Sequence, residues 1–283
     1  MIKVLKSGLL SSIQDLGRFS YREFGVPFSG AMDSFSFEMA NALLGNTKDD
    51  AALEMTMIGA KLQFLVSTQL VITGADMSPT INGRKVFNNQ VTTVAEGDIL
   101  SFGSLKNGLR TYLGVKGGIK TDVVLGSRSF YDGITKINAI REGDMLRIEA
   151  SIINNHSKQG YSKLKPHDFS LNLIEAFKGP EYDLLSSEQK EKLKIGEFEI
   201  SNLYDRMAYQ LTPNLENDLP SILTGPVLSG TVQLTPSGRL IVLMRDCQTT
   251  GGYPRVLQLT ERAINLLSQK KERDKVSFVL RKD

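Results

Sequence analysis

Apolar residues along this chain come mostly in short runs separated by turn residues, beginning at once with Ile2-Lys3-Val4-Leu5. A turn around Gln14-Asp15-Leu16-Gly17-Arg18 follows, then an aromatic stretch to Gly25-Val26-Pro27. Past Asp33 the period changes. Phe35, Met39, Ala40 and Leu43 recur at helical spacing. Asp33 can cap the first turn, and Gly45-Asn46 supplies a stop. A helix is therefore expected over 33–44. From residue 50 the pattern is that of short strands, with apolar runs at 62–66, 70–73, 90–94, 99–102, 110–115 and 145–148. Asn82-Gly83 is a hairpin-turn signal. Short strands at such spacing predict a sandwich or barrel, and a mainly β fold with a few short helices.

The stretch 151–169 is polar and turn-rich and reads as a linker. It divides the chain into a first β domain over 1–150 and a second over 170–283. In the second, 171–176 is strand-like, 181–194 helical, and 276–280 a closing strand. The halves echo each other. Gly117-Gly118 and Gly251-Gly252 each follow a strand, and Glu142-Gly143-Asp144 and Glu272-Arg273-Asp274 each open a final one, at similar offsets.

The stretch that carries most chemistry is Asp246-Cys247-Gln248-Thr249-Thr250-Gly251-Gly252-Tyr253-Pro254-Arg255, set between apolar runs at 238–244 and 256–259. It holds an acid, an amide, two hydroxyls, a phenol and a guanidinium, far more than a plain turn needs. The glycine pair permits positive φ and close approach of backbone to a ligand. A strand-supported binding rim is the favoured reading over an ordinary polar loop.

Composition narrows the options. The chain has 283 residues, 41% of them hydrophobic, and a net charge of +3 from 34 basic and 31 acidic side chains. That balance does not argue for nucleic acid. No run reaches the roughly 18–20 apolar residues of a membrane span. One Cys excludes an internal disulfide framework, and a cytoplasmic setting is expected. His156 and His167 both lie in the linker and read as solvated loop residues. Cys247 has no evident partner base and reads as packing. Metal-ligand spacings and phosphate-loop motifs are missing from the sequence, although Asp33, Asp76 and Asp246 are carboxylates a hard cation could use.

What remains is a site of fixed dipoles and a few charges, suited to small polar amides. Backbone N–H groups at Gly251 and Gly252 could hold an oxyanion, Arg255 could fork onto a carboxylate or phosphate, and Tyr253 offers a ring face and a donor. Gln248, Thr249 and Thr250 can address an amide. In the first half Ser29, Met32 and Asp33 stand at a helix start, where anions are favoured; Asp33 reads equally as a plain N-cap. Asp33, Gln248, Thr250 and Arg255 are the candidate catalytic residues. Ser29, Met32, Thr249, Gly251, Gly252, Tyr253 and Arg206 are the candidate substrate contacts.

The run 248–255, QTTGGYPR, resembles the signature of the carboxyltransferase-type family known as allophanate hydrolase subunit 2, a group that includes the C-type subunits of 5-oxoprolinases. Two further stretches are similar to family motifs, Gly25-Val26-Pro27-Phe28-Ser29-Gly30-Ala31-Met32-Asp33 and Gly225-Pro226-Val227-Leu228-Ser229-Gly230-Thr231-Val232-Gln233. The resemblance implies two cyclophilin-like β-barrel domains. It also implies ATP-dependent cleavage of 5-oxoproline to glutamate in a heteromeric complex with A-like and B-like partner subunits. ATP is implied by the family alone. An alternative is a carboxyltransferase or urea-type amide role using carboxybiotin from another chain, since no Met-Lys-Met biotin attachment segment is present. A third is a non-catalytic regulator of a B-like homologue of the kinase-inhibitor type. The sequence departs from the family pattern at Ala208, often Gly, and at Glu272-Arg273-Asp274, often Pro-Gly-Asp.

Overall fold

The structure, a computed structural model, describes residues 1–150 and 165–281. Most of the expected linker, with His156, lies outside the described residues. The chain forms two compact units: Met1–Arg18 with Ser29–His167, and Phe19–Phe28 with Asp168–Asp283. A ten-residue piece of the first half thus belongs to the second unit, which no composition shift in the sequence announces.

In the first unit the strands are β1 (Ile2–Lys6), β2 (Leu10–Gln14), β3 (Ala52–Thr56), β4 (Lys61–Phe64), β5 (Thr68–Asp76) and β6 (Thr80–Ile81). They continue as β7 (Arg84–Lys85), β8 (Thr92–Val94), β9 (Ile99–Ser101), β10 (Asn107–Val115) and β11 (Met145–Leu146). One sheet runs β11-β1-β4-β9-β6-β7 and the other β2-β3-β10-β5-β8. Their inward residues share one core, with Val4, Ile13, Leu53, Phe64, Ile72 and Leu113 fully or almost fully buried. The hairpin between β6 and β7 turns on Asn82 (φ 50°) and Gly83 (φ 79°), the pair of positive φ values a tight two-residue hairpin requires. Helix α1 (Ser34–Leu44) begins at Asp33, whose side chain accepts from Ser36 N, and ends at Gly45 in the left-handed region. Its buried face includes Phe37, Ala40 and Leu44. The run 123–129 contributes only an isolated bridge between Val124 and Ser127.

The second unit is a closed barrel of β12 (Leu173–Lys178), β13 (Phe198–Tyr204), β14 (Ala208–Thr212), β16 (Thr231–Leu234), β17 (Leu240–Leu243), β19 (Arg255–Leu259) and β20 (Lys275–Leu280). Closure leaves no sheet edge. A small separate ribbon joins β15 (Gly225–Pro226) to β18 (Thr250–Gly251). The helix expected over 181–194 divides in two. A 3-10 turn spans Tyr182–Leu184, Leu185 is extended, and α2 (Ser187–Ile195) starts afresh from Ser186. Ser186 and Gln189 cap each other's backbone, a stronger local signal than the continuous polar pattern. Helix α3 (Glu261–Ser268), capped by Thr260, was not expected from the sequence.

The echo between halves is partly real. In the turns 95–98, 141–144 and 271–274 the Asp side chain accepts from the backbone N–H three residues earlier, at 2.8, 2.7 and 2.9 Å. In each, the residue before the Asp and the Asp itself exchange backbone bonds with a neighbouring strand, at Phe64, Val4 and Ile200 respectively. That preceding residue has positive φ: Gly97 at 90°, Gly143 at 91°, and Arg273 at 70°. The glycine pairs do not echo in conformation, because Gly117 and Gly118 both have positive φ and Gly251 and Gly252 do not.

Arg273 alone of the three carries a Cβ in the left-handed region, which costs about 1–2 kcal/mol. Replacing it by Gly returns part of that gain through a freer unfolded chain. Arg273→Gly is expected to raise stability by roughly 0.5–1 kcal/mol in urea unfolding. Arg273→Ala is expected to leave the midpoint in place, and equal midpoints for all three proteins would remove the strain argument.

Candidate functional site

The loop between β17 and β19 is pinned at both ends by ion pairs within the second unit. At its start Arg206 forks onto Asp246, Nε to Oδ2 at 2.8 Å and Nη2 to Oδ1 at 3.0 Å. Asp246 N–H donates back to the Arg206 carbonyl at 2.9 Å. At its end Arg255 forks onto Glu181, Nε to Oε2 at 2.9 Å and Nη2 to Oε1 at 2.8 Å. The Arg255 backbone N–H reaches the same carboxylate at 2.8 Å, and its Nη1 donates to the Pro226 carbonyl at 3.0 Å. Such paired, charge-assisted bonds fix direction as well as distance. Arg255 holds the Glu181 carboxyl below the usual carboxylate range, chiefly through the side-chain hydrogen bond.

The middle of the loop is held by backbone and by Arg22. Thr250–Gly251 pairs with Gly225–Pro226. Ile222 N–H donates to Gly252 O at 3.0 Å, and Gln233 Nε2 donates to Tyr253 O at 3.3 Å. Arg22, from the 19–28 segment, donates to the carbonyls of Val227 and Thr249 and lies 4.8 Å from the centre of the Phe28 ring. At Gly251 a side chain is opposed by space and not by φ. A Cβ there would stand 2.5 Å from Gln233 Nε2 and 3.3 Å from Val227 Cγ1.

Cys247 packs under the loop with Val227 and Leu243. Burial pushes its thiol up in spite of the nearby Arg22 guanidinium, so the packing reading stands. By contrast the side chains of Gln248, Thr249, Thr250 and Tyr253 carry no hydrogen bond to protein among the described residues. Thr250 and Tyr253 are exposed. The two candidate arginines of this loop, Arg206 and Arg255, are engaged with carboxylates and position the loop.

In the first unit the turn 29–33 leads into α1. Ser29 (φ 58°) and Gly30 (φ 87°) bring the backbone against Leu16, whose carbonyl a Cβ on Gly30 would meet at 2.9 Å. Ala31 N–H donates to Asp15 O at 3.0 Å. Met32 N–H donates to Glu54 Oε2 at 2.8 Å, and Asp33 N–H to the Tyr112 hydroxyl at 2.8 Å. That hydroxyl donates in turn to Glu54 Oε2 at 2.7 Å. Arg110 Nε lies 3.9 Å from the other Glu54 oxygen, with both side chains buried. Burial, then the Glu54 and Asp33 charges, raise the Tyr112 phenol well above its ordinary value. A second buried carboxylate, Asp15, accepts from Ser127 Oγ, Ser129 Oγ and Arg128 N–H, each at 2.6 Å, and from Gly17 N–H at 2.8 Å.

Three candidate residues of this turn are buried. Met32 is wholly buried. Asp33 is wholly buried too, and its two oxygens accept from Ser36 N–H at 3.0 Å and Ser36 Oγ at 2.6 Å. The helix-start anion position is thus filled by the chain's own carboxylate. Ser29 is buried, with its hydroxyl lacking a hydrogen-bond partner. Glu181, Glu54, Tyr112 and Arg22 were not singled out from the sequence. His167 is half-buried and stacked on Phe35 with centroids 4.1 Å apart, not free in solvent. The described residues show no group of three or more His, Cys, Asp or Glu side chains that could hold a metal. No helix among them is long and apolar enough to cross a membrane.

Residues 24–280 match the family described as carboxyltransferase domain, subdomain A and B. The chain is 30% identical over 275 residues to the C subunit of 5-oxoprolinase from Escherichia coli (strain K12), covering 95% of this chain and 87% of that protein. Its fold is similar to the crystal structure of TTHA0988, with TM-score 0.85 at 27% identity, covering 98% of this chain and 55% of that one. It is also similar to the K. lactis urea amidolyase, with TM-score 0.84 at 27% identity, covering 99% of this chain and 18% of that one. The chain therefore spans about half of one of these solved chains and a small part of the other.

Removing the Tyr112 hydroxyl strands a buried N–H and takes a donor from a buried carboxylate. Tyr112→Phe is expected to cost about 1–3 kcal/mol in denaturant unfolding, and a loss within error of zero would detach this bond from the fold. The Glu181 pair gives a pH signature. Because its folded pKa is depressed, its contribution is present above the unfolded value and is lost as pH falls through the folded one. Glu181→Gln is expected to lower stability near neutral pH and to flatten the acid limb of stability against pH, which urea melts at several pH values read directly.

Proposed function

We propose, from the premise that this chain belongs to the carboxyltransferase-domain family with subdomains A and B, that it is the C-type subunit of an ATP-dependent 5-oxoprolinase. With A-type and B-type partners it opens the ring amide of 5-oxoproline to give glutamate. The observation that carries this reading is the loop 246–255. It is fastened at both ends, yet Gln248, Thr249, Thr250 and Tyr253 keep their donors and acceptors unused by protein among the described residues. A pinned loop with unspent polar groups is organised for a ligand with an amide, because those groups lose little freedom on binding.

Gln248 and Thr250 are assigned to the reacting amide, Thr249 and Tyr253 to its surroundings. Gly251 and Gly252 let the loop backbone approach. Arg206 and Arg255 position the loop, and Asp33 and Ser29 hold the turn of the first unit. The pairs Arg206–Asp246 and Arg255–Glu181 are neutral overall, whereas Arg22 donates to carbonyls and has no carboxylate partner among the described residues. The second unit therefore keeps one positive charge beside the loop, which suits a substrate that carries a carboxylate.

At the starts of α1, α2 and α3 one backbone N–H each is taken by the side chain of Asp33, Ser186 or Thr260, and the sequence has no phosphate-loop motif. ATP chemistry is assigned here to a partner chain. The likeness to urea amidolyase, which extends over nearly all of this chain, supports carboxyl transfer to or from a urea-type amide as the second reading.

The test is ATP-dependent formation of glutamate from 5-oxoproline by this chain with its A-type and B-type partners, each omitted in turn. Glutamate is expected only from the full mixture. Gln248→Ala and Thr250→Val are expected to lower the rate roughly 100- to 1,000-fold, the range for loss of a donor aimed at developing charge, with assembly unchanged. An assembled complex that makes no glutamate would overturn the reading in favour of carboxyl transfer or regulation.

A further inference from the structure

A cavity of about 520 Å³ opens in the first unit, walled by residues of the stretches 120–124, 130–137 and 145–147. None of them belongs to the signature runs or to the proposed site. The volume is that of a small-molecule pocket. Phe130 is 5% exposed and joins the main hydrophobic core, so this part of the wall is anchored in the interior of the unit. Val124, Ile134, Ile137 and Met145 complete an apolar lining. Ile137 and Met145 remain 41% and 43% exposed.

The same lining is charged in one sense. Lys120 lies 3.4 Å from Asp50 and is largely neutralised. Lys136 and Arg147 carry no ion pair or side-chain hydrogen bond among the described residues. Asp122 contributes one negative charge. The balance is a single net positive charge beside an apolar wall, which matches a monoanion and not a phosphate dianion. Arg147 can fork onto a carboxylate. Thr121 is also in the lining, and its hydroxyl is buried with no hydrogen-bond partner.

We infer that this cavity is a second binding site, taking a small amphipathic carboxylate whose hydrocarbon body lies on Phe130, Ile134 and Ile137 and whose carboxylate is held by Lys136 and Arg147. This ligand is distinct in chemistry from a compact polar lactam acid, which has little apolar surface to bury against that wall.

The probe is 3-phenylpropionate, titrated calorimetrically into the full-length chain, with 3-phenylpropanamide as its neutral counterpart. Saturable binding of the acid is expected, with the amide at least about tenfold weaker. Arg147→Gln is expected to weaken the acid by about tenfold and to leave the amide unchanged. Ile137→Asp is expected to weaken both. Ile137 and Arg147 sit at the surface, and an unchanged melting curve confirms that each variant folds. Absence of saturable binding would overturn the inference, as would equal affinity for acid and amide, or Arg147→Gln binding the acid as wild type does.

Discussion

The fork between Arg255 and Glu181 is the contact on which the second unit's loop depends. A charge taken from water must be paired and hydrogen-bonded, or it unfolds its surroundings. Here the pairing carbonyls and carboxylates come from distant strands and turns, so satisfying the charge also sets the loop's place. Glu181 binds the side chain and the backbone of Arg255 together. Arg206 and Asp246 repeat the device at the other end. In the first unit Glu54 and Asp15 do the same with the polarity reversed, since buried carboxylates there gather backbone N–H groups from the turn before α1 and from the stretch 127–129. The barrel and the two sheets supply rigid walls; these charges decide where the irregular backbone sits against them.

That division explains what the loop can offer. Asp33, Arg206 and Arg255 spend their hydrogen bonds on structure and hold position, while Gln248, Thr250 and Tyr253 make no side-chain hydrogen bond among the described residues. Arg22 stands between the two classes. Its guanidinium closes on two carbonyls, which fixes the loop but leaves its charge uncancelled among the described residues.

What could be read from the sequence follows from range. Helix α1 is legible because its cap, period and stop lie within a dozen residues, and the Asn82-Gly83 turn because two adjacent residues specify it. Helix α3 was hidden because Ala263, Ile264, Leu266 and Leu267 follow closely on the apolar strand β19, with Thr260 the only mark between them. The break at Leu185 was masked by polar residues on both sides. The signature loop stood out by its chemistry, yet the partners that fix it did not. Glu181 lies 74 positions before Arg255, and Arg22 lies 205 before Val227. No local pattern encodes such pairings. Composition, for the same reason, gave no hint that residues 19–28 fold with the second unit.

That borrowed segment has a consequence for how the chain can be taken apart. A single cut between the halves parts the later unit from ten of its own residues. The later fragment would keep its barrel strands but lose Arg22 and the ring of Phe28, which would stay with the earlier one. Recombination that shuffles domains at one boundary would therefore discard the later module's clip.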